Sequence, residues 1–549
     1  MVSWSPIRNI THYSLLRGFS KPEALAKACS VNGYKACGIT DYKTISGAVS
    51  FYRSCKKYKI KPIIGCSFDE YTLLAKNKHG WNDLIELVSN IGEDGDIPTG
   101  ISKIIFSRHN LICLSDIKMT DIFGEDAYAY CSLLKCSYYT EPADAIMHRI
   151  LLCSSLKTTI PKIQKQLRQS TLSEEIITYF TDQHHLLDSN AVSQLVNENP
   201  EDITVIEEIV NKCEDYNILS TPILPKFKCP NGKSEADYLK QLCRSGWRSL
   251  LIEDNKVSDE QDKKKYAERF DEEFNIIEGA NLFGYFLIVQ DILAYVKSQG
   301  WMSGPGRGSA AGCLISYLIG ITKIDPLEFN LLFSRFYNAG RNTENHISLP
   351  DIDMDVPAQR RDEIITYLKN KYGYGHVSQM ITFGRLRGRS AIKEVLRINE
   401  ACSFTEMNTI SKYIPNEAEI SDQLAEMDDD DRSIIRWALM NNSSELRDFC
   451  HINENNELEG EYAEYFNQAI RLEGTFKTQG KHAAGVVISS QALSTVCPMV
   501  KQKGSDEKIA GLEMSDLEAL GHVKFDVLGI TLLDKLMFIK DLINSNNTL

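Results

Sequence analysis

The sequence has fifteen cysteines yet no Cys-x-x-Cys pair. They are scattered singly, among them Cys29, Cys37, Cys55, Cys66 and Cys113 early and Cys402, Cys450 and Cys497 late. A zinc ribbon or a disulfide framework would need paired spacing, so neither is expected. Several of these thiols, such as Cys37 within Tyr34-Lys35-Ala36-Cys37-Gly38-Ile39, sit in apolar surroundings where free cysteine behaves as a small hydrophobe. A reducing, cytoplasmic compartment is the expectation. No run of about 18 apolar residues occurs, so no membrane-spanning helix is expected. The opening Met1-Val2-Ser3-Trp4-Ser5-Pro6-Ile7-Arg8 has no apolar core, so no secretion signal is expected. Internal repeats are absent too.

What is present is ordinary in bulk and uneven in detail. Hydrophobic residues make up 43% and charged residues 25% of 549, a soluble composition too long for a single core. The net charge of −13 argues mildly against nucleic acid when read globally. Locally the balance reverses. Arg360, Arg361, Lys369, Lys371, Arg385, Arg387, Arg389, Lys393 and Arg397 face only Asp362, Glu363 and Glu394 over the same stretch. Acidic residues collect after it, at Glu417, Glu419, Asp422, Glu426 and Asp428 through Asp431. A solvated helix face is the bland explanation of such a basic run.

The most informative stretch is Ser348-Leu349-Pro350-Asp351-Ile352-Asp353-Met354-Asp355-Val356. Carboxylates alternate with apolar residues, the period of a half-buried strand. Asp351, Asp353 and Asp355 then share one face, while Ile352, Met354 and Val356 face a core. Like charges in a row repel, and aspartate is rare in strands. A divalent cation would relieve the row, and hard oxygen ligands suit Mg²⁺. An acidic edge strand that discourages aggregation is the alternative.

Upstream lies Gly304-Pro305-Gly306-Arg307-Gly308-Ser309-Ala310-Ala311-Gly312, followed by a buried helix expected from Cys313 to Gly320. It is no Walker A loop, for no Gly-Lys-Ser/Thr follows. Glycines let backbone amides approach a ligand, and a helix start offers free N–H groups to phosphate. A tight turn packing small residues would look the same. Downstream, His522-Val523-Lys524-Phe525-Asp526-Val527-Leu528-Gly529 reads as a strand with Lys524 and Asp526 on one face. Asp526 could complete a metal site or be a plain polar strand residue.

The rest of the chain frames these segments. Strands are expected at Ala36 to Asp41 and Lys61 to Cys66, with a helix from Ile45 to Tyr58 between them, so the first part reads as α/β. Pro200 to Asp215 reads as a helix. The Pro-rich Ser220 to Gly232 has no period and is the expected linker. Helical patterns run from Ser234 to about Gly300. An amphipathic helix is expected from Ala358 to Tyr372 with Gly373 as its stop, then a strand from Val377 to Phe383 and a basic helix from Arg389 to Arg397. Residues from about 400 to 475 read as a helical, locally acidic insert before a strand at Gly485 to Ile488.

Taken together, the blocks Gly304 to Gly312, Leu332-Phe333-Ser334-Arg335-Phe336, Pro350 to Asp355, Gln379-Met380-Ile381-Thr382-Phe383-Gly384, His482-Ala483-Ala484-Gly485-Val486-Val487-Ile488 and Lys524 to Gly529 resemble the alpha subunit of bacterial replicative DNA polymerase III, the C family. The resemblance covers the N-terminal half of such a polymerase. It implies an α/β multidomain chain: a PHP-like distorted β/α barrel at 1–225, a palm similar to polymerase-beta-like nucleotidyltransferases at 226–385, a helical thumb at 386–478, and the rest of the palm at 479–549, with fingers absent. The implied function is DNA-directed DNA polymerase. Asp351, Asp353 and Asp526 would bind two Mg²⁺ ions, with Asp355 as a supporting carboxylate and Lys524 against Asp526 or the reacting phosphate. In two-metal sites the ions lie about 3.5–4 Å apart. Periodicity alone leaves open which two of the three clustered aspartates bind metal, and the family motif favours the first two. Arg307, Gly308, Ser309, Arg335 and Arg341 would meet the incoming dNTP. Arg341 departs from the family pattern, because Asn342 to His346 intervenes before the carboxylate strand. Arg385, Arg387, Arg389, Lys393 and Arg397 would hold primer-template DNA by its backbone, without sequence information.

Two departures qualify that picture. Arg8 and Ile10 stand where the PHP domain's His-x-His ligands would fall, Tyr42 follows Asp41, Ser67 replaces a Glu, and Cys136-Ser137-Tyr138-Tyr139 replaces an Asp-x-His-Tyr block. A structural PHP-like domain holding no metal is therefore expected. The fingers would come from a separate C-terminal chain, or the sequence is a fragment of a longer gene product; a sliding clamp would be reached only through that missing part. No membrane is expected as partner. The alternatives are a catalytically silent, polymerase-derived DNA-binding scaffold and, less favoured because of the missing ligands, a PHP phosphatase or nuclease.

Overall fold

In the computed structural model the described residues are 4–91, 108–117, 119–169, 172, 176, 180–254, 256–257, 259–338, 340, 349–428, 431–502 and 505–546. They form two compact units, one of residues 1–218 and 383–480, the other of residues 219–382 and 481–549.

The first unit contains a five-stranded sheet in the order β1-β2-β3-β4-β5, comprising β1 (Ala36–Ile39), β2 (Lys61–Ser67), β3 (Tyr71–Ala75), β4 (Leu111–Ser115) and β5 (Ala127–Ala129). β1 and β2 are parallel across the helix Ala48–Lys57, as the alternating pattern predicts, whereas β3 pairs antiparallel with both β2 and β4. The segment expected as a thumb belongs to this unit. Its helices Gly388–Asn399 and Ala463–Leu472 bury Ile392, Val395, Phe466 and Leu472 in one core with Ile150 and Leu151 of the helix Ala145–Ser155. A short ribbon of β8 (His451–Ile452) and β9 (Leu458–Glu459) completes it.

The second unit carries the six-stranded sheet, in the order β11-β12-β7-β10-β13-β6. Its strands are β6 (Asp353–Pro357), β7 (Val377–Arg385), β10 (Phe476–Ile488), β11 (Met499–Lys501), β12 (Lys508–Ala510) and β13 (Val523–Ile530). The chain passes between the units within β7 and β10. Ile352, Met354 and Val356 share a core with Val523, Phe525 and Val527 and with Phe286, Ile288 and Val289 of the helix Phe283–Ser298. Period-two alternation has thus sent the apolar residues of β6 and β13 to one face and the charged ones to the other.

Boundaries follow local chemistry. Asp259 caps the helix Glu260–Gly279 by accepting from the Asp262 N–H, and Gly373 stops the helix Arg361–Tyr372 at φ +105°. The expected linker is extended and pinned within the second unit, where Ser220 and Ile223 N–H groups donate to the Ala519 and Gly521 carbonyls. All fifteen cysteines are free thiols. Among the described residues no single helix is long and apolar enough to cross a membrane.

Candidate metal centre

β13 and β6 run parallel with Asp526 directly opposite Asp353. Opposed residues send their side chains to the same face, so this register brings together carboxylates 173 positions apart. One carboxylate oxygen from each of Asp351, Asp353 and Asp526 lies within 4.8 Å of the others, spacing that suits a shared cation. Asp351 departs from the strand reading. Regular strand begins only at Asp353, and the Asp351 side chain, after Pro350, is 70% exposed. Asp526 is its opposite, 8% exposed, with Oδ1 buried and making no hydrogen bond. A buried carboxylate oxygen without a hydrogen-bond donor is the ligand atom that a cation would take, so the residues fit a metal.

The cluster's charge is partly met from within. Lys524 Nζ lies 2.6 Å from Asp526 Oδ2 and 3.9 Å from Asp351 Oδ1, as their common face predicts. Arg307 reaches in from the glycine segment, with Nη2 3.0 Å from Asp355 Oδ1 and Nε 3.6 Å from Asp353 Oδ2. Two cations facing four carboxylates leave net negative charge. Burial first, then Asp351, raises the Asp353 carboxyl above its ordinary range; Arg307 opposes, and Asp526 and Asp355 add to the rise. Behind the sheet, the Tyr285 ring stacks on Phe525 at 5.2 Å, and burial foremost pushes its phenol up.

The glycine segment lies along the outer edge of β6. The Gly304 N–H donates to the Asp355 carbonyl at 3.0 Å, and a Cβ at 304 would stand 2.7 Å from the Asp355 Cβ. Only glycine fits that approach. Gly308 and Ser309 are exposed on the short turn Gly308–Gly312, with Gly308 at φ +64°. The helix after it is shorter than expected, Leu314–Leu318, and its first N–H groups are not free for phosphate. Buried Glu273 accepts from Leu314 N–H at 2.9 Å and Ile315 N–H at 3.0 Å. Arg269 donates to Glu273 at 2.6 Å and to the carbonyls of Gly312 and Leu331. Sequence reasoning missed this clamp. Its one signal is a carboxylate on the apolar stripe of Tyr266, Phe270, Phe274 and Ile277.

The remaining candidates divide. Arg335 is exposed on the helix Phe333–Phe336, which packs beside the glycine turn. Arg341 lies outside the described residues. The five cations expected on DNA belong to the first unit and have internal partners. Arg385 lies over the Phe476 ring, Arg387 pairs with Glu417, Arg389 donates to the Ile414 carbonyl, Lys393 to Asn408 and Arg397 to Glu394. In the same unit Arg8 stacks over Tyr130 and donates to the Leu134 carbonyl. Asp41 is buried and accepts from Thr11 N–H, Thr11 Oγ1 and Ser14 Oγ. Burial lifts its carboxyl to about 6 against the pull of those donors.

Residues 237–529 match the model of the bacterial DNA polymerase III alpha NTPase domain, and residues 7–155 match that of the PHP domain. The DNA polymerase III subunit alpha of Buchnera aphidicola is 30% identical, over 97% of this chain and 48% of that protein. The corresponding subunits of Pseudomonas aeruginosa and Staphylococcus epidermidis are 29% and 31% identical, over 99% and 95% of this chain and 49% and 46% of theirs. The chain thus spans about half the length of the curated relatives it matches. A crystal structure from Bifidobacterium adolescentis, assigned as a metal-dependent phosphoesterase, matches over 39% of this chain and 84% of its own at 11% identity, with a TM-score of 0.17. With a family model matched over more than half its residues, and the acidic triad inside that match, the chain belongs to the bacterial DNA polymerase III alpha family.

Proposed function

We propose that this chain is the nucleotidyl-transfer half of a DNA-directed DNA polymerase, which adds dNTPs to a primer 3′-hydroxyl on a template. One observation carries the reading: Asp353 and Asp526 on neighbouring strands, with Asp351 just before the first of them, converge around a buried carboxylate oxygen that lacks a donor. The six-stranded sheet would be the palm, residues 386–478 the thumb, and residues 1–225 a PHP-like barrel in which Arg8, Ile10, Tyr42, Ser67 and Cys136 leave no metal cluster.

Asp351, Asp353 and Asp526 would hold Mg²⁺. When bound, Mg²⁺ would lower the pKa of the primer hydroxyl and neutralise charge on the departing pyrophosphate. The chain's own residues position and balance charge. Asp355 holds Arg307 at the β6 edge, where Arg307, Gly308 and Ser309, joined by Arg335 and Arg341, would take the triphosphate. Lys524 keeps Asp526 oriented and would face the reacting phosphate. Arg385, Arg387, Arg389, Lys393 and Arg397 would track the primer-template backbone by exchanging their internal partners for phosphates. The chain spans about half of its relatives, and fingers and the route to a sliding clamp would lie in the other half, whether carried on the same polypeptide or on a second one.

The test is Mg²⁺-dependent primer extension by the chain alone and with the C-terminal half of a relative added. Asp353→Asn should abolish extension while primer-template binding persists. Extension that survives this substitution, or that is absent in both mixtures, overturns the reading.

A further inference from the structure

The block His482-Ala483-Ala484-Gly485 has no part in the reading above, yet it borders the carboxylates. Gly485 on β10 lies directly opposite Asp526 on β13, so a side chain at 485 would stand on the carboxylate face. The position its Cβ would take is 3.1 Å from His482 Nδ1 and 2.8 Å from the Met380 methyl. The Met380 thioether and the His482 imidazole therefore share the space that glycine leaves across the ladder from Asp526. Its orientation is set by the backbone, for Nδ1 accepts from the Gly485 N–H at 2.8 Å and the Ala484 N–H at 3.3 Å. A ring nitrogen that accepts carries no proton, which puts the proton on Nε2. Among the described residues nothing accepts from Nε2–H, a neutral donor set beside an acidic cluster.

The order of strands gives this donor a direction. Across the face run β10 with His482, β13 with Asp526, β6 with Asp353, and then Gly304 and Arg307 along the outer edge. In-line phosphoryl transfer keeps the attacking oxygen and the leaving group on opposite sides of the phosphorus. If the triphosphate takes the side of Arg307, Gly308 and Ser309, the attacking strand end must come from the side of β10. We infer that His482 is a positioning residue that donates its Nε2–H to the last phosphodiester of the primer strand. This rests on the polymerase reading and deepens it. A neutral donor suits the place, because Lys524 already pairs with Asp526 and a second cationic side chain there would compete with a metal ion for the remaining carboxylate oxygen.

The test is metal-free equilibrium binding, by fluorescence anisotropy, of the full chain to a primer-template. The last primer linkage is either a phosphodiester or an uncharged methylphosphonate. Wild type, His482→Ala and His482→Gln are compared, the glutamine keeping an N–H donor at similar reach. The penalty for the methylphosphonate should be about tenfold larger in wild type than in His482→Ala, as for loss of a hydrogen bond to a charged group. His482→Gln should recover most of that difference, and a methylphosphonate several linkages upstream should show none. A purely structural role would weaken both duplexes equally in His482→Ala, and equal penalties in all three proteins overturn the inference while leaving the polymerase reading intact. If wild type does not prefer a primer-template to single-stranded DNA, the polymerase reading falls and the inference with it. Far-UV circular dichroism checks folding, and should His482→Ala fail to fold, the comparison of wild type with His482→Gln decides, a lost upstream-to-terminal difference in the glutamine variant counting against the inference.

Discussion

Replacing Asp353 by asparagine should stabilise the metal-free protein and at the same time make it indifferent to Mg²⁺. Asp353 sits among Asp351, Asp526 and Asp355, and its carboxyl is raised above the ordinary 3.8 by burial and by those neighbours, Arg307 opposing. A carboxyl raised in the folded state contributes stability that is complete below its unfolded pKa and is lost as pH rises through the folded one. At neutral pH the wild type therefore bears the whole penalty of an ionised Asp353, and the amide removes it. Like charges about 5 Å apart repel by roughly 0.8 kcal/mol in water and several times that in a protein interior. The Asp353 side chain is 32% exposed and Arg307 and Lys524 offset part of the repulsion, so about 1 kcal/mol is the expected gain.

Magnesium reverses the order. A ligand that binds only the folded state adds about 2.7 kcal/mol at a hundred times its Kd, and the wild type should gain this while the variant, lacking a ligand oxygen charge, should not. Hydrogen exchange of peptides covering β6 and β13, in EDTA and in Mg²⁺ at pH 7.5, reads the effect locally. Protection should rise from wild type without metal, through the variant in either buffer, to wild type with Mg²⁺. The advantage of the variant in EDTA should shrink as pH is lowered into the carboxylate range. A variant less protected than wild type in EDTA, or one that gains as much from Mg²⁺, would refute the reasoning.

How much of this was legible in the sequence depends on how far each partner lies along the chain. Alternation at Asp353 and Asp355 and at Lys524 and Asp526 gives the face of each residue, because side-chain direction in a strand is a local property. Whether the two strands would be neighbours, and in which register, is not local; the family resemblance supplied that expectation. Asp351 was misread as regular strand because the ladder with β13 begins only at Asp353, opposite Asp526, and nothing in the alternation shows where pairing starts. The basic run from Arg385 to Arg397 shows no partners in sequence beyond Glu394, because Glu417, Asn408, the Ile414 carbonyl and Phe476 meet it only through folding. The Glu273 clamp spans about forty residues, and a helical pattern marks its carboxylate only as an anomaly. The sequence gives His482 no role by itself, since its place depends on Gly485 facing Asp526 across a ladder.

Two further substitutions probe the frame around the site. His12, stacked on Phe476 at 4.0 Å, is held down to about 3 by burial foremost and by Lys21 and Arg385, so its contribution to stability is complete above 6.5 and is lost as pH falls toward 3. At about 1.4 kcal/mol per pH unit, His12→Phe should gain about 2 kcal/mol on wild type between pH 6.5 and 5 in guanidinium unfolding, and parallel pH profiles would contradict this. Glu273→Ala removes the acceptor for two buried N–H groups and for Arg269, which should cost about 3 kcal/mol or more in thermal unfolding. Glu273→Gln keeps one acceptor oxygen and should lose less. Because Arg269 is anchored by Glu273 and in turn holds the carbonyls of Gly312 and Leu331, Arg269→Ala should add little to Glu273→Ala. If the two losses simply add, Arg269 and Glu273 support the glycine turn independently, and the turn is not held by one clamp.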